Sequence, residues 1–232
     1  MLDAKISIIK ISIIIPVLNE AQTIQDVVAI AQTASHVEII AVDGGSRDGT
    51  QEILQSLGVK LLITTPGRAH QMNLGAEVAT GKILLFLHAD THLPPGFDDW
   101  VRQTLAQPGV VAGAFKLQID STLRGIRWLE WWVNWRSHHR QMPYGDQAIF
   151  LTTQQFNTIG KFPELPIMED FELIRRLQRQ GRIAIVPHPV ITSGRRWQKL
   201  GILKTTFINQ LVVIAFLLGV STDRLRSWYG RR

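Results

Sequence analysis

An imidazole and a carboxylate two residues apart, His88 and Asp90, directly follow the apolar run Ile83-Leu84-Leu85-Phe86-Leu87. If that run is a strand and the backbone stays extended, residues two apart point the same way. The pair would then enter one cleft together, with Ala89 turned away. Such a pair can hold a divalent cation, and the cation can neutralise a phosphate. The same residues would also serve as a capped loop before Pro94-Pro95. Glu169-Asp170 is a second constellation, ahead of Phe171, Ile174 and Leu177 at helical spacing. A carboxylate there could act as general base toward an attacking hydroxyl. Adjacent acids also complement a helix N-terminus. In Arg195-Arg196-Trp197, two guanidinium groups could clamp a diphosphate and the indole could stack on a ring. A solvated basic loop is the alternative.

The elements that must position these groups follow from the apolar pattern. Ile11-Ser12-Ile13-Ile14-Ile15 is a β-branched run that Pro16 ends. Residues 21–33 have helical periodicity, residues 37–42 read as a strand, and residues 43–50 form a polar, glycine-rich turn. Residues 51–57 predict a helix, 59–63 a strand, 68–79 a helix and 83–87 a strand. Strands and helices in alternation predict a doubly wound α/β fold. Three of the four strands end in polar clusters that contain an acid: Glu20, Asp43 and Asp90. In a parallel sheet those carboxyl ends share one edge, where such folds bind ligands.

Length and composition set bounds. A chain of 232 residues, 45% hydrophobic, can bury one good core. It has no cysteine, which excludes disulfides, thiolate catalysis and thiolate-bound zinc. A net charge of +6 favours anionic partners. The cations gather late: Arg175, Arg176, Arg179, Arg182, Arg195, Arg196, Lys199 and Lys204, then Arg224, Arg226, Arg231 and Arg232. No aromatic RNA-binding signature accompanies them, so nucleic acid is not expected as a partner. Residues 6–17 read as a first strand, not as a signal peptide, because Lys10 interrupts them and no cleavage site follows. No segment is apolar enough to span a bilayer. A cytoplasmic protein is expected.

Trp128, Trp131, Trp132 and Trp135 share one helical face, with Arg124, Arg127, Arg136 and Arg140 around them. Residues 207–220 form a second apolar stretch, broken by Asn209 and Gln210. Three roles are open to these segments: core, peripheral contact on the inner face of the cell membrane, or a homodimer interface.

Several of these motifs, in this order, resemble glycosyltransferase family 2 of the GT-A fold. Pro16-Val17-Leu18-Asn19-Glu20 is similar to its opening motif, and Asp43-Gly44-Gly45-Ser46-Arg47-Asp48-Gly49-Thr50 to its second. His88-Ala89-Asp90 stands where the family carries its DXD motif, and Glu169-Asp170 resembles its later acidic motif. Gly67-Arg68-Ala69 with Gln71-Met72-Asn73, Gly145-Asp146-Gln147, Met168-Glu169-Asp170 and Arg195-Arg196-Trp197 add a narrower likeness. It is to a small bacterial subgroup labelled arsenosugar-biosynthesis or 4,4'-diaponeurosporenoate-type glycosyltransferases.

The resemblance implies a three-layer α/β sandwich around a mixed, mainly parallel sheet. Residues 1–117 would be the nucleotide-sugar half. Residues 118–232 would be the acceptor half, with a helical element at its end. It also implies roles. Pro16, Val17, Asn19 and Glu20 would line the nucleoside pocket, and Asp43 with Gly44 would meet the base, most often uracil. Arg68 would approach the nucleotide. Asp90, with His88, would hold Mn²⁺ or Mg²⁺ on the diphosphate of a UDP-linked sugar. Asp146 would line the acceptor or donor-sugar pocket, although Gly145-Asp146-Gln147 also reads as a plain turn before a strand. Asp170 would be the base, with Glu169 orienting it. One base without a second carboxylate as nucleophile implies inversion at the anomeric carbon.

Two positions depart from the family pattern. His88 replaces the first Asp of DXD and would either suit Mn²⁺ or only hydrogen-bond the donor. Ser193 replaces the Gln of the Q-x-x-R-W motif of processive synthases, so a single transfer to one hydroxyl, on a small molecule or a lipid, is expected. His188 is a further metal candidate, in a segment expected to be a loop.

Two rivals remain at this stage. A nucleotidyltransferase would want a glycine-rich basic loop after the first strand, which Pro16-Val17-Leu18-Asn19-Glu20 is not. A non-catalytic membrane-associated binding protein would not need both Asp90 and Asp170.

Overall fold

The computed structural model describes residues 8–229. The start of the expected first strand, Ile6, and the terminal Arg231 and Arg232 lie outside them. One eight-stranded sheet has the order β3-β2-β1-β4-β7-β6-β8-β5. Its strands are β1 (Ile11–Val17), β2 (Val37–Asp43), β3 (Lys60–Ile63), β4 (Ile83–Phe86), β5 (Thr91–His92), β6 (Val110–Asp120), β7 (Phe150–Thr152) and β8 (Arg182–Ser193). The first four to meet, β3-β2-β1-β4, are mutually parallel. β7 runs antiparallel to both β4 and β6, β8 parallel to β6, and β5 antiparallel to β8. The sheet is continuous across residue 117, which lies within β6.

Alternation along β1 builds the layers. Ile11, Ile13, Ile15 and Val17 face one core, and Ile14 the other. The first core is closed by α1 (Ile24–Ala31), α2 (Thr50–Ser56), α4 (Phe97–Leu105) and α5 (Ile126–Arg140), through Val27, Val28, Leu54, Phe97, Val101 and Leu129. The second is closed by α3 (Arg68–Glu77), α6 (Thr153–Thr158) and α7 (Glu169–Gln178), through Met72, Phe156, Leu173 and Ile174. Helix α3 lies so close to β1 that a Cβ on Gly75 would come within 2.5 Å of Ile14. The chain ends with α8 (Arg195–Leu200), α9 (Ile202–Leu217) and α10 (Thr222–Tyr229), and the last two pack on Phe171 of α7.

Register places the strand ends. Val17 pairs with Asp43, and Ile14 with Phe86, so β1, β2 and β4 finish on one edge. At the opposite end the Glu38 carboxylate holds the frame. It accepts hydrogen bonds from the Ser12 hydroxyl, from the Thr80 backbone N–H at 2.6 Å and from Gly81 N–H at 3.1 Å, and pairs with Lys10 at 3.0 Å. Burial alone would raise its pKa. The hydrogen bonds from Ser12, Thr80 and Lys10 outweigh burial and bring it down to about 2.

Some expectations need correction. The first helix begins at Ile24, because Glu20 C=O accepts from both Thr23 and Ile24 N–H in a turn. β4 ends at Phe86 and the chain turns through His88, whose C=O accepts from Thr91 N–H at 3.2 Å. His88 and Asp90 are therefore not alternate residues of an extended strand. His188 lies in β8, at its bulge, and stacks on Trp100 with centroids 4.4 Å apart.

Candidate active site

The loops after β1 and β2 fold as one unit. Asn19 takes a left-handed conformation (φ 55°), which Asn tolerates better than most residues. Its backbone N–H donates to Ser46 Oγ at 2.8 Å, and its Oδ1 accepts from Arg47 N–H at 2.9 Å. Glu20 N–H donates to Thr50 Oγ1 and Ala21 N–H to Asp48. Gln71 joins the strand ends beneath, its Nε2 donating to the carbonyls of Val17 and Val42. That amide explains Gly44, whose Cβ would meet Gln71 at 3.2 Å and Pro66 at 3.1 Å. The Val17 side chain belongs to the core, so only its backbone takes part here.

Asp43 is fully buried at the end of β2. One oxygen accepts from Gly45 N–H, Ser46 N–H and Gln51 Nε2 at 2.7–2.8 Å. Burial would raise its pKa, yet the bonds from Ser46, Gln51 and Gly45 prevail and hold it below the usual carboxylate range. Its other oxygen has no partner among the described residues. An ionised oxygen left over in this way suits an N–H donor from a ligand.

Across the edge, the Arg195 guanidinium at the start of α8 binds two of the predicted acids. Its Nη2 lies 2.8 Å from Glu20 and 3.1 Å from Asp90. Residues 175 and 105 positions apart in sequence thus share one cationic group. Ala89 is buried in the core, turned away from the edge.

A second cluster adjoins. The Arg68 guanidinium, in the first turn of α3, bonds to the buried carboxylate of Glu169. Asp170 Oδ2 accepts from Gly145 N–H at 2.7 Å, and its Oδ1 from Phe171 N–H at 2.8 Å. A Cβ on Gly145 would lie 3.0 Å from His88 Nε2 and 3.1 Å from Asp170 Oδ2. His88 and Asp170 therefore converge where Gly145 leaves room. Burial, then the neighbouring Arg68, lowers the His88 pKa to about 4 against the pull of Asp90 and Asp170, so the ring is neutral near pH 7. Met168, before this helix, adopts φ 70°. A left-handed non-glycine residue costs about 1–2 kcal/mol, and burial of Met168 beside Phe171 and Val212 offsets it.

Asp146 sits in the short 3₁₀ turn Gly145–Gln147 with Oδ1 buried and without a partner among the described residues. Burial raises its pKa to about 6, opposed by Arg136 and assisted by Asp170. The folded carboxyl thus holds its proton more tightly than the unfolded one, and stability falls as pH rises from about 3.8 to about 6. Asp146→Asn is expected to raise stability near neutral pH by about 1–3 kcal/mol. Urea titrations along that pH range would show a flatter profile in the variant.

The two remaining predicted residues face inward. Arg196 stacks 3.6 Å over the Tyr229 ring, and Trp197 packs against the first core. Groups not foreseen also border the site. Arg136 lies 3.7 Å over Tyr144. Burial shifts the Tyr229 phenol upward, opposed by the nearby charges of Arg196 and Arg68 and assisted by Asp170 and Asp146. The sequence signal for Tyr144 was its place just before Gly145; Tyr229 had none. Gln147 has a structural role, donating to Phe115 C=O and accepting from Ser137.

The space among Arg68, His88, Gly145, Glu169 and Asp170 is only about 10 Å³. A larger cavity of about 400 Å³ lies over β8 between α4 and α5, lined by Trp100, Gln103, His138 and Arg182 among others. It contains no carboxylate, so volume and chemistry point to different places, and the acids decide.

The sequence profile of Glycosyl transferase family 2 matches residues 12–160, from β1 through α6. The chain belongs to glycosyl transferase family 2. Within it, a PGL/p-HBAD biosynthesis glycosyltransferase of Mycobacterium bovis is 44% identical over 92 residues, covering 35% of this chain and 36% of the relative. A 4,4'-diaponeurosporenoate glycosyltransferase of Staphylococcus haemolyticus is 33% identical over 92 residues, covering 36% of this chain and 24% of the relative. The match thus extends over about a third or less of these relatives' length. S. aureus TarS superposes with a TM-score of 0.63 at 16% identity, covering 89% of this chain and 39% of TarS. TarS residues 1–349 in complex with UDP-GlcNAc superpose with a TM-score of 0.62 at 16% identity, covering 79% and 58%. The GT-A fold expected of the family is the one found, a mixed and mostly parallel sheet between helices.

Proposed function

We propose that this chain transfers one sugar from a nucleoside diphosphate sugar, UDP-linked, to a hydroxyl of a small-molecule or lipid acceptor, with inversion. The observation that carries this is the meeting of Glu20 and Asp90 on Arg195, beside a pocket where Asp170 faces His88 across Gly145. Family membership and the UDP-GlcNAc complex of TarS support it. In this proposal the 1–117 half binds the donor, and the remainder holds the acceptor.

The free oxygen of Asp43 would accept from the base, and Glu20 from the ribose. Arg195 would move from the two acids onto the diphosphate. Asp170 would take the proton of the acceptor hydroxyl as its oxygen attacks the anomeric carbon, while the bond from that carbon to the diphosphate breaks and UDP leaves. Glu169 is tied to Arg68, so one carboxylate faces the acceptor, consistent with direct displacement. The residues also fit a divalent cation, Mn²⁺ or Mg²⁺: Glu20 and Asp90 already enclose one positive group. Asp90 would hold the ion together with donor phosphate oxygens, because no three acids or imidazoles converge among the described residues. When bound, such an ion would offset charge on the departing diphosphate. His88, turned toward Gly145, would hydrogen-bond the sugar.

The test is a panel of nucleotide sugars, with and without Mn²⁺, read as release of nucleoside diphosphate by slow donor hydrolysis. Release from one or more UDP-sugars, dependent on Mn²⁺, is expected. Release of pyrophosphate from nucleoside triphosphates instead would identify a nucleotidyltransferase.

A further inference from the structure

We propose that α5 and α9 together form a docking face for an anionic lipid bilayer. Helix α5 turns Ile126, Leu129, Glu130 and Ser137 inward. Three of its four tryptophans point out: Trp128 is 66% exposed, Trp131 58% and Trp132 40%. Of the three roles open to this segment, that exposure speaks against a tryptophan-lined core. Helix α9 buries Thr205, Val212 and Ala215, and leaves Leu203 87%, Phe207 69% and Ile214 54% exposed. Leu203, Phe207, Leu211 and Ile214 follow one another at spacings of four, four and three, so they share one face.

Helices α5 and α9 approach each other at two places. At their starts, a Cβ on Gly125 would be 3.8 Å from Ile202. Farther along, Met142 and Tyr144, just beyond α5, pack against the buried cluster to which Val212 and Ala215 of α9 belong.

Charge selects the occupant. Exposed Arg124, Arg127, Arg140, Lys199 and Lys204 lie on these two helices or within three residues of their starts. The one acid of α5, Glu130, is buried on Arg127 and on the N–H of Ile119. Tryptophan and arginine together favour the headgroup layer of a membrane. A second copy of this chain would bring like charges together, which opposes a dimer across the same face. Among the described residues no helix is long and apolar enough to cross a membrane, so the face would lie on the bilayer. Phe216 of α9 meets Phe171 edge to face at 5.7 Å, and Phe171 follows Asp170. The docked face would therefore bring the site to headgroup depth, where a lipid hydroxyl is within reach; this last step rests on the transfer reaction proposed above.

The experiment uses vesicles and no sugar nucleotide. The full chain should sediment with mixed phosphatidylcholine–phosphatidylglycerol vesicles about 10-fold or more tightly than with phosphatidylcholine alone. Its tryptophan fluorescence should be quenched by bromine-labelled acyl chains. The combined variant Trp128→Ser, Trp131→Ser, Trp132→Ser should bind about 10-fold or more weakly, with an unchanged circular dichroism melt. Should that variant not fold, quenching of the unaltered protein decides alone. Absence of quenching, equal binding to both vesicle types, or a dimer in solution that the triple variant dissolves would overturn the proposal. Vesicle binding by a protein that releases no nucleoside diphosphate in the separate sugar-nucleotide panel would refute the reaction and leave the docking face standing.

Discussion

Asp170→Asn is expected to lower kcat for sugar transfer by about 10²–10⁴-fold, the usual contribution of a positioned base. Donor affinity should stay nearly unchanged. Asp170 touches the backbone of Gly145 and faces His88, whereas the acids bound to Arg195 come from other loops. An asparagine keeps the shape and its one amide oxygen can still accept from Gly145 N–H, with only the bond from Phe171 N–H lost, so the fold should persist. Calorimetric titration with UDP alongside acceptor-dependent UDP release separates the two effects. Normal transfer by the variant would remove Asp170 from the role of base.

The second large effect is expected at Asp90. Asp90→Asn should weaken Mn²⁺ binding in the presence of UDP by about 10–100-fold, the range seen when a metal site loses a supporting carboxylate. Donor affinity in Mn²⁺ should fall with it, whereas the weak metal-free affinity should hardly change. Arg195 retains Glu20, so the loop after β1 keeps its tether. Manganese titration followed by electron paramagnetic resonance measures the first quantity directly. Identical Mn²⁺ affinity in both proteins would show that Asp90 is not a ligand.

Much of this architecture is legible in the amino-acid sequence. Parallel strands that bury both faces read as unbroken apolar runs, and β1, β2 and β4 lie where those runs are. Their carboxyl ends share an edge, so Glu20 and Asp90 meet as expected. Local geometry was less legible. The spacing of His88 and Asp90 suggests extended backbone, but a turn separates the two side chains, and His88 turns to Gly145 while Asp90 turns to Arg195. A short polar segment carries no periodicity from which to read such a turn.

The helical tail was legible in type and not in placement. The spacing of Trp128, Trp131, Trp132 and Trp135 fixes one face of a helix but not which way that face looks. Only the packing of Ile126 and Leu129 decides it. Likewise Arg195, Arg196 and Trp197 are adjacent in sequence yet go to three places: the acidic rim, the Tyr229 ring and the core. A three-residue motif at a helix start fans its side chains around the axis, and neighbours from distant elements determine what each one meets.

The most direct measurement is a crystal structure with UDP and Mn²⁺. Uracil is expected beside the free oxygen of Asp43, and the diphosphate between Asp90 and an Arg195 released from Glu20. UDP bound instead in the 400 Å³ cavity over β8, with Arg195 still bridging Glu20 and Asp90, would contradict a donor site at this edge.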